Sequence, residues 1–215
     1  MKISVAMAYY NGGMYIEEQM DTILTQLSEQ DEVIVSVDGA SDGSKSLLLK
    51  MAEEDKRIHV IKGPGKGVVK NFENAIRHCS GEIIYLSDQD DIWKPDKVKK
   101  VNEAFLNPKV KAVLHDARIV DECGNPTGAE SLFANRGSRK GILKNLVKNS
   151  YVGCCMAFRR ELIPVICPIP KEMYMHDYWI GTAAEYMGEV CFIKEPLIDY
   201  RRHSSNVTQM THGSM

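Results

Sequence analysis

The stretch GEIIYLSDQDDIWKP, residues 81–95, joins a run of apolar residues to a cluster of acids. Residues 82–87 are rich in isoleucine and leucine and predict a β-strand that is buried on both faces. Asp88, Asp90 and Asp91 follow directly, so three carboxylates stand where this strand ends. Buried strands of this kind are typical of parallel sheets, which bind ligands at the carboxyl ends of their strands. The stretch therefore predicts an α/β fold with a polar site at this strand end.

The rest of the first half repeats the alternation of strand and helix. Three further apolar runs, at residues 2–8, 32–37 and 57–62, are predicted strands, and apolar residues at helical spacing lie between them. The order β-α-β-α-β-α-β predicts a mostly parallel central sheet with helices on both faces. The loops after the first, second and fourth strands are rich in Gly, Asn and Asp. We expect these loops to meet at one edge of the sheet.

The second half of the chain is less regular. Its predicted elements are a strand at 111–120, a turn at 124–128, a basic helix at 141–149, a buried run at 152–158, a helix at 176–187 closed by Gly188, and a last strand at 189–194. No internal repeat, low-complexity tract or flexible linker divides the sequence. We therefore expect one domain over residues 1–215.

Composition narrows the class of protein. The 215 residues are 44% hydrophobic, which suits one domain with a substantial core. A formal net charge of −2 gives no global attraction for nucleic acid, and we expect no nucleic-acid partner. Six cysteines without a CxxC pair favour reduced thiols in a cytoplasmic protein. No apolar run approaches the roughly 20 residues of a membrane span, and no signal peptide is visible.

The acidic cluster has two explanations from its residues alone. Asp88 and Asp90, one residue apart at the end of a rigid strand, suit Mg²⁺ or Mn²⁺, which favour carboxylate oxygens. A Ca²⁺-binding loop that starts at Asp88 would need Gly at its sixth position and Glu at its twelfth, but Trp93 and Lys99 stand there. Alternatively, the acids cap the helix that follows and interact with its dipole.

Five segments resemble, in order, the motifs of family 2 glycosyltransferases, which are inverting enzymes of the GT-A fold. Residues 81–98 resemble the DxD segment of that family, in the form typical of its bacterial rhamnosyltransferase-like branch. The other four are SVAMAYYNGGMYIEEQMDTILTQ (4–26, first strand, nucleotide loop and helix), IVSVDGASDGS (34–44, second-strand aspartate), HDYWI (176–180, base motif) and YRRHSSNVT (200–208, closing histidine motif).

The resemblance implies a metal-dependent transfer of a sugar from a nucleoside diphosphate donor. Asp88 would contact the ribose, Asp90 and His203 would hold Mn²⁺ or Mg²⁺, and Asp177 would be the general base. Residues 1–110 would form the half that binds the nucleotide-sugar, and residues 111–215 the half that binds the acceptor.

Further contacts with the substrates follow from the same resemblance. Those expected for the nucleotide-sugar are Tyr9, Asn11, Asp38, Lys66, Asn71, Gln89 and Arg202, and those for the acceptor are Trp93, Tyr178 and Trp179. The family usually has two adjacent acids here, and Asp38 matches either the first, with a shortened turn, or the second, with Val37 in place of the first. An ordinary Asp-Gly turn is the alternative to a nucleotide contact for Asp38. For the aromatic residues the alternative is a place in the core.

The acceptor would be a glycan or lipid-linked glycan of a bacterial surface polysaccharide. Donor candidates are dTDP-rhamnose and UDP-sugars, and the sequence does not indicate an oligomeric state. A basic stretch could approach lipid at the inner face of the plasma membrane, or it could be a solvated helix face; it comprises Arg136, Arg139, Lys140, Lys144 and Lys148.

Two other functions compete with this interpretation. A nucleotidyltransferase would need a basic residue in the loop after the first strand, and YYNGGMY has none. An inactive nucleotide-sugar-binding module is the second alternative.

Overall fold

The computed structural model describes residues 1–129, 131–137, 141–142, 145 and 149–203. These residues form one eight-stranded sheet with helices on both faces. The strands are β1 (Ile3–Tyr9), β2 (Glu32–Val37), β3 (Ile58–Lys62), β4 (Ile83–Ser87), β5 (Ile92–Trp93), β6 (Val110–Val120), β7 (Met156–Arg159) and β8 (Glu189–Arg201). The α-helices are α1 (Ile16–Leu24), α2 (Ser44–Glu54), α3 (Val68–His78), α4 (Lys97–Ala104), α5 (Leu132–Arg136), α6 (Ile163–Ile166) and α7 (His176–Met187).

The strand order is β3-β2-β1-β4-β7-β6-β8-β5. The four strands of the first half are parallel, whereas β7 pairs in antiparallel fashion with both β4 and β6. The predicted α/β fold with a mostly parallel sheet is confirmed, and each of the four predicted strands of the first half lies within a residue of its observed bounds.

The structure departs from the prediction in three places. The buried run at 152–158 divides into a 3₁₀ turn, Gly153–Cys155, and strand β7. The last strand continues to Arg201, seven residues beyond its predicted end at 194. Strand β5 was not predicted at all. Most of the predicted basic helix at 141–149 lies outside the described residues.

The alternation of side chains along β1 divides the core between the two faces of the sheet. Ile3, Val5, Met7 and Tyr9 pack with apolar residues of α1, α2 and α4 on one face. Ala6 packs on the other face with residues of α3 and α7. Because period-2 alternation sends neighbouring residues to opposite faces, the strand is apolar on both sides, as a central parallel strand requires.

The register of the central strands aligns their carboxyl ends. Tyr9 of β1 pairs with Val37 of β2, and Met7 of β1 pairs with Ser87 of β4. The loops that follow these three strands therefore leave the sheet at one edge and face each other. In the part of the chain that the structure describes, no helix has the length and apolar character needed to cross a membrane.

Candidate active site

Three loops at the carboxyl edge of the sheet form the candidate site: residues 10–13 after β1, 38–42 after β2 and 88–91 after β4. The first two loops are joined by the side chain of Asn11, whose carbonyl oxygen accepts a hydrogen bond of 2.8 Å from the backbone N–H of Ser41. Asn11 adopts a positive φ of 49°, a conformation in which asparagine is enriched. Asn11 thus shapes the edge of the site through contacts within the protein.

Hydrogen bonds from Arg201, the last residue of β8, hold the acidic turn 88–91 in place. The guanidinium of Arg201, only 3% exposed, donates to the carbonyl oxygens of Asp90 at 2.9 Å and Glu122 at 2.8 Å, and to the Glu18 carboxylate. The backbone N–H of Arg201 donates to Asp91 Oδ1 at 3.2 Å. Arg201 therefore fixes the turn. Arg202, the arginine predicted to contact the nucleotide-sugar, is half-buried.

Asp90 and His203, the two residues predicted to hold the metal, lie next to each other. Asp90 Oδ2 and His203 Nε2 are 2.9 Å apart. Two neighbouring ligands of an octahedral ion bound at about 2.1 Å are themselves about 3 Å apart. The separation of these two atoms is therefore that of neighbouring metal ligands, and the carboxylate oxygen is of the type that suits Mn²⁺ or Mg²⁺.

A second group of potential metal ligands combines two acids of this turn with Cys154. One atom each of Asp88, Asp91 and Cys154 lie within 4.8 Å of one another. Asp91 is buried, and its Oδ2 atom has no hydrogen-bond partner among the described residues. Burial and the neighbouring Asp90 and Asp177 raise the pKa of Asp88 to about 7. The turn thus concentrates negative charge that a divalent cation would offset.

Lys97 supplies a positive charge beneath this turn, and the sequence reasoning missed it. The side chain is 1% exposed, donates to the Cys154 carbonyl oxygen at 3.2 Å, and has its ammonium 3.7 Å from the centre of the Trp93 ring. Burial lowers the pKa of Lys97 to about 8, while Asp91 and Asp88 favour its charged form. A buried ammonium is stable only with such partners, so Lys97 acts as an internal counter-ion for the acids.

Asp177 lies in the first turn of α7. Its carboxylate is 5% exposed and accepts a hydrogen bond of 2.6 Å from the backbone N–H of Tyr178. Burial raises the pKa of Asp177 to about 6, which is a useful value for a general base near neutral pH. Its charge also raises the pKa of Asp88, so the two carboxyl groups are within electrostatic reach. His176 stacks on Phe72 with ring centroids 4.0 Å apart, and burial lowers its pKa to about 4.

The residues expected at the nucleotide have different surroundings. The Asp38 carboxylate accepts hydrogen bonds from the backbone N–H groups of Gly65 and Gly67, so it holds the loop in which the exposed Lys66 lies. Asn71 is buried and donates to the Tyr9 carbonyl oxygen at 3.3 Å. Asp38 and Asn71 therefore join α3 and its preceding loop to β1 and β2.

Tyr9 itself is directed into the core, with no exposed surface, and the structure does not bring its ring to the site. The next residue, Tyr10, points outward with 62% of its surface exposed, and its ring lies beside Gly39, next to Asp38. Tyr10, which was not among the predicted site residues, is thus the exposed tyrosine of the pair.

The aromatic residues predicted for the acceptor are not equivalent. Trp93 is buried in the core against Tyr85 and Lys97, so a sugar cannot stack on it in this structure. Trp179 is half-buried and donates from Nε1 to the Ile166 carbonyl oxygen at 3.0 Å, and Tyr178 is also half-buried. Of the basic stretch, Arg136 is described and lowers the pKa of Asp177. Its other members, Arg139, Lys140, Lys144 and Lys148, lie outside the described residues.

The model of the family named "Glycosyl transferase family 2" matches residues 4–166. The chain belongs to this family. An uncharacterized glycosyltransferase of Haemophilus influenzae is 33% identical over 225 residues, covering 97% of this chain and 68% of the relative. A glycosyltransferase of Nostoc sp. is 26% identical and covers 96% of this chain and 66% of the relative. The family 2 chain thus spans about two thirds of the length of these relatives, and only 60% of other matched proteins.

Solved structures of other proteins share the fold of this family 2 chain. TarS 1-349 of Staphylococcus aureus in complex with UDP-GlcNAc aligns with a TM-score of 0.75 at 17% identity, covering 96% of this chain and 60% of that one. The mannosyltransferase PcManGT of Pyrobaculum calidifontis, in complex with GDP-Man and Mn²⁺, aligns with a TM-score of 0.67 at 23% identity, covering 91% and 55%. The family predicted from five motifs is confirmed; its rhamnosyltransferase-like branch stays a prediction.

Proposed function

We propose that the chain is an inverting, metal-dependent glycosyltransferase that moves a sugar from a nucleoside diphosphate to a hydroxyl group of a bacterial surface polysaccharide or its lipid-linked precursor. One observation carries the proposal: a buried carboxylate, Asp177, lies within electrostatic reach of Asp88, in the turn where Asp90 meets His203. A base and a metal-binding pair at one strand edge are the two parts that such a transfer needs.

Each group has a separate task in this reaction. Asp177 removes the proton of the acceptor hydroxyl as it attacks the anomeric carbon from the side opposite the leaving group. Asp88 accepts hydrogen bonds from the ribose. Asp90 and His203 would hold Mn²⁺ or Mg²⁺, which when bound would supply positive charge to offset that of the departing diphosphate. Tyr10, with its exposed ring beside Asp38, contacts the base of the nucleotide.

The choice of donor and acceptor rests on the relatives. The TarS and PcManGT complexes contain UDP-GlcNAc and GDP-Man, so a nucleoside diphosphate sugar is the donor class, with dTDP-rhamnose and UDP-sugars as the first candidates. The chondroitin synthase of Pasteurella multocida is 28% identical over 133 residues, which covers 62% of this chain but 13% of that protein. Its name supports a glycan acceptor. Residues 1–110 would bind the donor, and the half from 111 onward would supply Asp177 and the acceptor surface.

A thermal-shift screen tests this function directly. UDP-glucose, UDP-galactose, UDP-GlcNAc, dTDP-rhamnose and GDP-mannose are each added with Mn²⁺ and, as a control, with EDTA. At least one donor is expected to raise the melting temperature more with Mn²⁺, since a ligand that binds only the folded state stabilises it. The absence of any metal-dependent shift would overturn the proposal. Release of pyrophosphate in place of a nucleoside diphosphate would identify a nucleotidyltransferase.

Turnover is expected to fall steeply below pH 6. Because burial raises the pKa of Asp177 to about 6, its carboxylate form dominates above that pH and its protonated form below it. A protonated carboxyl group cannot accept the acceptor proton, so kcat should drop about tenfold for each pH unit below this value. The measurement is kcat at saturating donor, acceptor and metal across this range. A flat profile down to about pH 5 would contradict the assignment of the base.

A further inference from the structure

The side-chain amide of Gln89 is engaged with the neighbouring loop. Its Oε1 atom accepts a hydrogen bond of 2.7 Å from the backbone N–H of Tyr10, and its Nε2 atom donates to the Tyr10 carbonyl oxygen at 2.9 Å. The two bonds pair the amide with one residue of backbone, as a neighbouring strand would. Both polar atoms of Gln89 are therefore used within the protein, although the sequence predicted a contact with the nucleotide.

The loop after β1 is shaped to receive this amide. A Cβ atom at Gly12 would lie 2.5 Å from Gln89 Cδ and 2.7 Å from Nε2, closer than real Cβ contacts come. Only glycine leaves room for the amide at that position. The amide of Gln89 thus occupies the space that a side chain at position 12 would fill.

The residues on either side of these two bonds belong to different parts of the candidate site. Gln89 stands between Asp88 and Asp90, in the acidic turn. Tyr10, on the other side, carries the exposed ring beside Gly39. The next residue, Asn11, is bonded to the loop after β2. The amide of Gln89 therefore links the metal-binding turn to the loop that faces the nucleoside.

We propose that Gln89 is a positioning residue, which fixes the Tyr10 loop against the acidic turn so that the nucleoside pocket is formed before the donor binds. This role rests on the proposed function, since it assigns Tyr10 to the nucleoside. The side chain of the middle residue of the DxD motif then contacts the protein and not the donor. Gln89 then acts on donor affinity through Tyr10, without touching the donor.

The variant Gln89→Met tests this role, because methionine keeps the length and neutrality of glutamine but neither hydrogen bond. We expect the KM for the donor to rise about tenfold, the order expected from losing hydrogen bonds that hold a binding loop. The kcat at saturating donor and Mn²⁺ should stay within about threefold, because Asp177 and Asp90 are unchanged. Amide hydrogen exchange in residues 9–14 should accelerate in the free variant.

A double-mutant cycle with Tyr10→Ala separates positioning from direct contact, since this substitution keeps the Tyr10 backbone and removes only its ring. If Gln89 acts through the ring, Gln89→Met should weaken binding of UDP, dTDP or GDP with Mn²⁺ less than about twofold in the Tyr10→Ala background. Equal losses in both backgrounds would mean that Gln89 contacts the nucleotide itself, and would overturn the inference.

Two further outcomes distinguish this inference from the proposed function. If the wild-type protein binds nucleotide with Mn²⁺ and Gln89→Met has wild-type affinity, the inference fails alone. If the wild-type protein binds none of the three nucleotides, the proposed function fails and the role in donor binding fails with it. Unchanged amide exchange in residues 9–14 of Gln89→Met would independently contradict the link between the loops.

Discussion

Asp177→Asn is expected to lower kcat by about 10²–10⁴-fold, the usual contribution of a general base. Asparagine has the shape of aspartate, and its carbonyl oxygen can still accept the hydrogen bond that Tyr178 N–H now donates to the carboxylate. The variant should therefore fold normally, with the first turn of α7 intact. It cannot take a proton, because an amide is not basic in this pH range. The affinity for nucleoside diphosphate with Mn²⁺ should stay close to that of the wild type.

The measurement pairs an assay of nucleoside diphosphate release with a binding titration on the same preparation. Glu172→Gln is a matched control, since it neutralises an exposed acid in the segment that precedes α7. That control should keep wild-type kcat and affinity. Full turnover by Asp177→Asn would remove Asp177 from catalysis. Loss of nucleotide binding together with turnover would instead mean that Asp177 maintains the donor site.

Strands β1 to β4 follow from local pattern, whereas β5 and the full length of β8 depend on distant pairing. Apolar runs bounded by polar loops identify β1 to β4, because each buried parallel strand carries its signal in its own residues. Strand β5 has two residues, and Ile92 and Trp93 form it only by pairing with Asp199 and Ile198. No local pattern encodes a partner more than 100 residues away.

The length of β8 was missed for a related reason. The segment after residue 194 contains Glu195 and Pro196, which usually end a strand. In the structure the pairing of β8 with β6 shifts register there, moving from Ile193 opposite His115 to Pro196 opposite Asp116. Such an irregularity accommodates proline and lets the strand continue. The continuation brings Arg201 to the carbonyl oxygen of Asp90 and His203 to its carboxylate.

The candidate site was predictable in its charges but not in the orientation of its side chains. Spacing alone placed Asp88 and Asp90 at a strand end, and chain order among the motifs added Asp177 and His203. Lys97 looks like one of several solvated lysines in KPDKVKK, and only packing against Trp93 shows that its face of α4 is buried. Sequence gives the type of a residue directly, whereas burial of long or aromatic side chains depends on tertiary packing.

Asp90→Asn is expected to abolish the dependence of donor binding on metal and to lower kcat/KM by at least about a hundredfold. Without the Asp90 carboxylate the cation would bind weakly, and loss of the positive charge that offsets the diphosphate costs several kcal/mol of transition-state stabilisation. Each 1.36 kcal/mol is a factor of ten in rate. The amide introduced by this substitution would keep an oxygen near His203 Nε2, so the hydrogen bond between positions 90 and 203 can persist. Arg201 would still bind the carbonyl oxygen of residue 90. The turn should therefore keep its shape and lose mainly its affinity for the cation.

Thermal shifts with nucleoside diphosphate separate the metal role of Asp90 from a structural role in the turn. The helix-capping alternative does not apply to Asp90, because α4 begins at Lys97 and Asp96 precedes it directly. In the metal role, the shift of Asp90→Asn with Mn²⁺ falls to the value that the wild type gives in EDTA. In a purely structural role, the variant melts at a lower temperature but keeps the full difference between Mn²⁺ and EDTA. Asp96→Asn is the matched control, because Asp96 precedes α4 directly and is exposed. If Asp90→Asn keeps the metal-dependent binding of this control, Asp90 does not hold the metal. The metal ligands would then be Asp88 and Asp91, whose carboxylates lie together with the Cys154 thiol.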